Sequence, residues 1–149
     1  MGTEQDEAAK KAAEEKAKQE QEAAAAKAAK VAQVTAQITG LQGKIKTADE
    51  FISQLDQVKG KLTTAKTNLG LAYSRCYGNE IVTKVVVKNK FEGNSAEWIS
   101  KLLPAAIKRM QENKEGIGTT IESIGTQVEK LNMYKASLNS KITELRNSI

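Results

Sequence analysis

Apolar residues recur at every seventh position through the last third of the chain, and this repeat constrains the fold more than any other feature. The two interleaved series are Ala96, Leu103, Met110, Ile117, Ile124, Leu131, Leu138 and Leu145, and Ile107, Ile121, Val128, Ile142 and Ile149. Only Lys114 and Lys135 interrupt the second series. Spacings of three and four residues held over this length predict a long helix with one packed face. We expect it to span residues 94–149, with Asn94 as its N-cap and Glu97 completing a capping box.

The same spacing predicts a first helix over residues 31–73. Its packed face begins with Val31, Val34, Ile38, Leu41, Ile45, Ala48, Ile52 and Leu55. After Leu55 the spacing shortens once, to Val58, and then continues through Leu62, Ala65, Leu69 and Ala72. We interpret the change as a single stammer in the heptad pattern.

Residues 74–93 lack the heptad pattern and are predicted to connect the two helices. They contain a β-branched run at 81–87 that disfavours a helix and indicates a short strand. Two helices joined by one connection predict an all-α fold, an antiparallel coiled-coil-like hairpin over residues 31–149. Residues 1–30 are rich in Ala, Lys and Glu and have no large apolar side chain after Met1, so we expect a helical or frayed extension.

The start of the second helix is apolar over a wider arc than one packed face requires. The large apolar residues in this stretch are Trp98, Ile99, Leu102, Leu103 and Ile107. A two-helix hairpin leaves such a surface exposed, so we expect further helices to cover it. A homodimer or a complex with a different helical protein would complete the bundle.

Composition argues against several classes of function. The chain has no histidine and one cysteine, so a metal site or a catalytic triad is not expected, and we predict a protein without metal, cofactor or enzymatic activity. The net charge is +5, but acids and bases interleave, which does not favour nucleic-acid binding. No segment has the length and apolarity of a membrane span or a signal peptide. We therefore expect synthesis in the cytoplasm and, for any export, a route without a cleaved signal.

One motif resembles a known family. At the predicted end of the connection, Phe91 and Gly93 form an aromatic-x-Gly triplet, and a helix containing Trp98 follows. This triplet resembles the Trp-x-Gly turn of the small helical-hairpin proteins exported by type VII secretion systems, with phenylalanine in place of tryptophan. The resemblance implies a helical partner that binds the helical N-terminal domain of an LXG-type toxin, or a related helical subunit. The implied partner-binding residues are Phe91, Gly93, Trp98, Ile99, Leu102 and Ile107.

The chain departs from that family in two ways. Its connection is longer than the family's short turn, and Tyr134 is followed four residues later by Leu138 instead of the acid of the family's export signal. Two other functions therefore stay open. One is a structural coiled-coil module, a self-assembling rod or spacer of a surface or phage assembly. The other is a membrane-surface contact through the lysines of residues 84–90.

Overall fold

The computed structural model of the chain describes the backbone of residues 3–77 and 94–149, and the side chains of residues 6–76 and 101–149. Two long helices account for nearly all of this backbone: α1 spans Thr3–Tyr77 and α2 spans Asn94–Arg146. No strand occurs in the described backbone, and the strand predicted at 81–87 lies outside it. The predicted all-α hairpin is confirmed.

The sequence predicts helices over residues 31–73 and 94–149; in the structure the first helix is longer at both ends, and the second ends at Arg146. α2 begins at Asn94 as predicted and continues through Pro104. α1, however, is continuous from Thr3 to Tyr77, so it includes the predicted extension and ends four residues later than residue 73. α1 ends later because Tyr73 and Cys76 continue the half-buried series of the packed face. The two residues between them, Ser74 and Arg75, are tolerated in a helix.

The helices form two packing units. The terminal unit consists of Met1–Ala48 and Tyr134–Ile149, and the central unit consists of Asp49–Met133. In the terminal unit, Nζ of Lys30 donates a 2.7 Å hydrogen bond to the backbone carbonyl of Ser148. A cation is favourable there, because the unpaired carbonyls at the end of α2 carry partial negative charge. The part of α1 before Lys30 has no stretch of α2 beside it, and all its described side chains, from Asp6 onward, are exposed.

The central unit has its own set of contacts between the helices. A methyl group on Gly70 of α1 would lie 3.5 Å from Nζ of Lys114 in α2, and one on Gly118 of α2 would lie 2.9 Å from Nζ of Lys66 in α1. Residue numbers rise along one helix as they fall along the other. The helices therefore run antiparallel in this unit.

The packed face of α1 is an unbroken heptad series, so the predicted stammer is wrong. Its half-buried and buried members are Val34, Ile38, Leu41, Ile45, Ala48, Ile52, Leu55, Lys59, Leu62, Lys66, Leu69, Tyr73 and Cys76. Val58 is 46% exposed, and Ala65 is also exposed. Lys59 and Lys66 occupy the packed positions that the prediction gave to Val58 and Ala65, because the helix keeps its alternation of four- and three-residue spacings whichever side chains fall on it.

The packed face of α2 follows the predicted positions from Leu103 to Leu145, with Lys114 and Lys135 half-buried among them. The core between the helices is thin. Its buried apolar residues are Val34, Ala48, Ile124, Leu138 and Ile142, and no described side chain is fully enclosed. Two helices alone leave the flanks of every packed residue open to water, which explains this incomplete burial.

Candidate helix-docking surface

Of the six predicted partner-binding residues, the structure describes the side chains of Leu102 and Ile107. Phe91 and Gly93 lie outside the described residues. Trp98 and Ile99 belong to α2, but their side chains lie outside the described ones. Leu102 is 49% exposed, whereas Ile107 is half-buried and belongs to the packed face. Five residues along a helix correspond to roughly 140° of rotation, so Leu102 and Ile107 do not share a face.

The seven positions of the repeat are lettered a to g, with a and d on the packed face and e and g on its two edges. These letters identify the surfaces beside the packed face. With Lys66 and Lys114 at position a of their helices, Gly70 and Gly118 are both at position e. Each lysine lies over the glycine of the opposite helix. The two e edges of the central unit therefore face one side of the helix pair, and the two g edges face the other side.

The g side of the central unit carries exposed apolar residues on both helices, although α2 also contributes polar Asn113, Thr120 and Gln127 to it, and we call these apolar residues the apolar flank. It consists of Phe51, Val58, Ala65 and Ala72 of α1 with Leu102 and Ala106 of α2. The α1 members are seven residues apart, and Leu102 lies one turn before Ala106, at a c position next to the g edge. Phe51 is 55% exposed and all the others except half-buried Ala72 are exposed as well.

The e side of the central unit is polar. A shallow cavity of about 270 Å³ lies there, lined by Lys66, Tyr73, Gln111, Lys114 and Glu115. The lysines extend their methylene stems across the helix interface and place their ammonium groups at its edge. A lysine at this position supports the packing while its charge stays hydrated, so the e side resembles an ordinary solvated helix surface.

The described residues form neither a metal site nor a membrane-spanning helix. No group of three His, Cys, Asp or Glu side chains among them is arranged to hold a metal ion. None of their helices combines the length and apolarity required to cross a bilayer. The lysines of residues 84–90, considered above for a membrane-surface contact, lie outside the described residues.

The sequence pattern missed most of the apolar flank. The heptad prediction assigned Val58, Ala65 and Ala72 to the packed face and did not single out Phe51. A signal was nevertheless present, because Phe51, Val58, Ala65 and Ala72 form their own seven-residue series one position before the true packed residues. Two parallel apolar series on one helix indicate two contact surfaces instead of one irregular surface.

In comparisons with known proteins, no family model, no curated protein and no solved structure matches this chain. Its function must therefore be inferred from its own side chains.

Proposed function

We propose that the chain is a non-enzymatic helical partner protein that acts by packing its helices against those of another protein. The observation that carries this proposal is the contrast between the core and the surface. No described side chain in the core is fully enclosed, while large apolar side chains such as Phe51, Val58 and Leu102 are about half exposed. Burying each of them would contribute roughly 1–2 kcal/mol of binding free energy.

The aromatic-x-Gly resemblance suggests the setting of this binding. We propose that the partner is the helical N-terminal domain of an LXG-type toxin, or a related helical subunit, in a type VII secretion system. In this proposal Phe91, Gly93, Trp98 and Leu102 contribute to the contact, and the packed position of Ile107 supports the start of α2. The chain is made in the cytoplasm and leaves the cell without a cleaved signal, together with its partner.

The test is co-purification with a co-expressed LXG-type toxin N-terminal domain. Trp98→Ala and Leu102→Ala should each abolish co-purification while the circular dichroism of the variant stays helical. Met133→Ala is the matched control, because Met133 is 66% exposed on the outer face of α2 and lies away from the proposed contact. Retention of the toxin domain by both Trp98→Ala and Leu102→Ala would contradict the proposal.

A structural coiled-coil module is the second candidate, and the exposed helix of residues 6–30 favours it. A helix without an apolar face buries nothing within its own chain, yet it can act as a spacer. Analytical ultracentrifugation separates the two candidates. A self-associated rod at low micromolar concentration supports the structural module, whereas a monomer that associates only with a second protein supports the partner function.

A further inference from the structure

Among the described side chains, the charged residues beside the apolar flank are all basic. The c positions of the central unit adjoin its g edges, and they hold Lys61 and Arg75 in α1 and Arg109 and Lys130 in α2, all exposed. The acids of its described residues occupy the e, b and f positions instead. They are Asp49, Glu50, Asp56, Glu112, Glu115, Glu122 and Glu129.

One of these acids, Glu112, pairs with a lysine on the side away from the apolar flank. Glu112 lies 3.8 Å from Nζ of Lys108, which is at a b position toward the polar e side. The g edge of α2 between Ala106 and Met133 contributes only uncharged polar residues, Asn113, Thr120 and Gln127. The apolar flank is therefore bordered by positive charge and no negative charge among the described side chains.

We propose that the apolar flank binds a helix of a different protein, whose apolar stripe is bordered by Asp and Glu residues. This inference rests on the proposed function, since it names the chemistry of the helical partner. The seven-residue spacing of Phe51, Val58, Ala65 and Ala72 matches the repeat of a packed helix. The small side chains of Ala65, Ala72 and Ala106 leave room for a helix to approach closely, and Phe51 provides a large anchor at one end.

A second copy of this chain does not fit the flank. Pairing two copies through it would bring Lys61 and Arg109 of each copy toward the basic residues of the other, and like charges across an interface are unfavourable. A membrane surface fits less well than a helix, because Ala65, Ala72 and Ala106 offer little apolar depth. Interfacial helices usually present Trp, Phe and Leu along their whole apolar face.

The experiment uses two synthetic helical peptides that share one apolar stripe. In the first peptide the bordering positions are glutamate, and in the second they are lysine. The like charges keep each peptide from pairing with itself. Binding of the labelled peptides to the full chain is followed by fluorescence anisotropy. We expect the glutamate peptide to bind roughly tenfold or more tightly than the lysine peptide, with a difference that shrinks as salt is added.

Charge reversal on the protein provides the sharper test. The double variant Lys61→Glu with Arg109→Glu should reverse the preference, so that the lysine peptide binds more tightly. The matched control is Glu122→Lys with Glu129→Lys on the polar side, which should leave the preference unchanged. Equal binding of both peptides to the unmodified chain would overturn the proposal, as would an unchanged preference in the Lys61→Glu, Arg109→Glu variant.

Phe51→Ala tests the position of the contact. It should weaken binding of the glutamate peptide by roughly tenfold, while Met133→Ala should not. Two results would overturn the proposal in favour of another occupant. One is self-association that Phe51→Ala removes, and the other is Phe51-dependent sedimentation with phosphatidylserine vesicles in the absence of any peptide preference.

The failure of this proposal can be told apart from failure of the proposed function. Suppose the chain retains the toxin domain in a Trp98-dependent manner but shows no peptide preference. The partner function would then stand, and the assignment to the apolar flank would be wrong. If instead the peptide preference holds and the toxin domain does not bind, the flank is correct and the type VII partner is wrong.

Discussion

The terminal unit and the central unit use the same alternation of four- and three-residue spacings, but they fill it with different side chains. In the terminal unit, Val34, Ala48, Leu138 and Ile142 are buried between the helices. Among the described side chains of the central unit, only Ile124 reaches the same burial. Three packed positions in the described part of the central unit are lysines, namely Lys59, Lys66 and Lys114, whereas the described part of the terminal unit has one, Lys135.

In α1 of the central unit, an apolar residue lies one position before each of the two packed lysines. Val58 directly precedes Lys59, and Ala65 directly precedes Lys66. A shift of one residue rotates a side chain by about 100° around the helix, from the packed face to its edge. The central unit therefore gives up part of the stability of its own helix pair and leaves an apolar edge exposed, which we propose is the contact surface for a partner helix.

The largest expected effect separates the buried face from the exposed edge. Ile142→Ala in the terminal unit should lower the free energy of unfolding by about 2–4 kcal/mol, because it leaves a cavity between the helices. Val58→Ala in the central unit should change it by less than about 0.5 kcal/mol, since Val58 is 46% exposed. Urea unfolding followed by helical circular dichroism measures both. Similar losses in the two variants would mean that Val58 is buried in solution.

The hairpin itself could be predicted from the sequence because the apolar residues of both helices repeat at regular spacings. The series from Leu103 to Leu145 and from Val34 to Leu55 specify which faces pack, and Asn94 marks the start of α2. The predicted stammer was wrong because it excluded the charged Lys59 and Lys66 from the packed face, although the period of the helix places them there. Lysine has a long apolar stem, so Lys59 and Lys66 can occupy packed positions without burying their charge.

The docking surface could not be fully predicted, and the reason is geometric. The series of Phe51 and Val58 identifies an apolar edge of α1, but it does not say which edge of α2 lies beside it. That depends on how the two helices are rotated against each other, which the contacts of Gly70 with Lys114 and Gly118 with Lys66 define. Only with these contacts do Leu102 and Ala106 join the same flank.

A smaller effect concerns the lysines of the central packed face. Lys66→Leu and Lys114→Leu should each raise the free energy of unfolding by about 1 kcal/mol, because leucine at position a packs better than a charged side chain. Lys61→Leu is the control, since Lys61 is exposed at an outer position, and it should change stability by less than about 0.5 kcal/mol. An equal gain from Lys61→Leu would mean that added apolarity, not the packed position, produces the effect.

The smallest effect tests whether Lys66 covers Gly118 in solution. A methyl group on Gly60 would meet nothing within 4 Å, so Gly60→Ala should stabilise the helix by up to about 1 kcal/mol. Gly118→Ala should gain less, roughly 0.5 kcal/mol, because the new methyl group would lie 2.9 Å from Nζ of Lys66 and must displace it.

In a Lys66→Ala background this obstacle is gone, and Gly118→Ala should then gain as much as Gly60→Ala. Urea unfolding of the four proteins in the Lys66 and Gly118 double-mutant cycle gives the coupling free energy directly. Gly60→Ala measured in the same two backgrounds controls for any general effect of removing the lysine. If Gly118→Ala gains equally with and without Lys66, the lysine does not lie over this glycine. The assignment of the e edges to one side of the central unit would then depend on Gly70 and Lys114 alone.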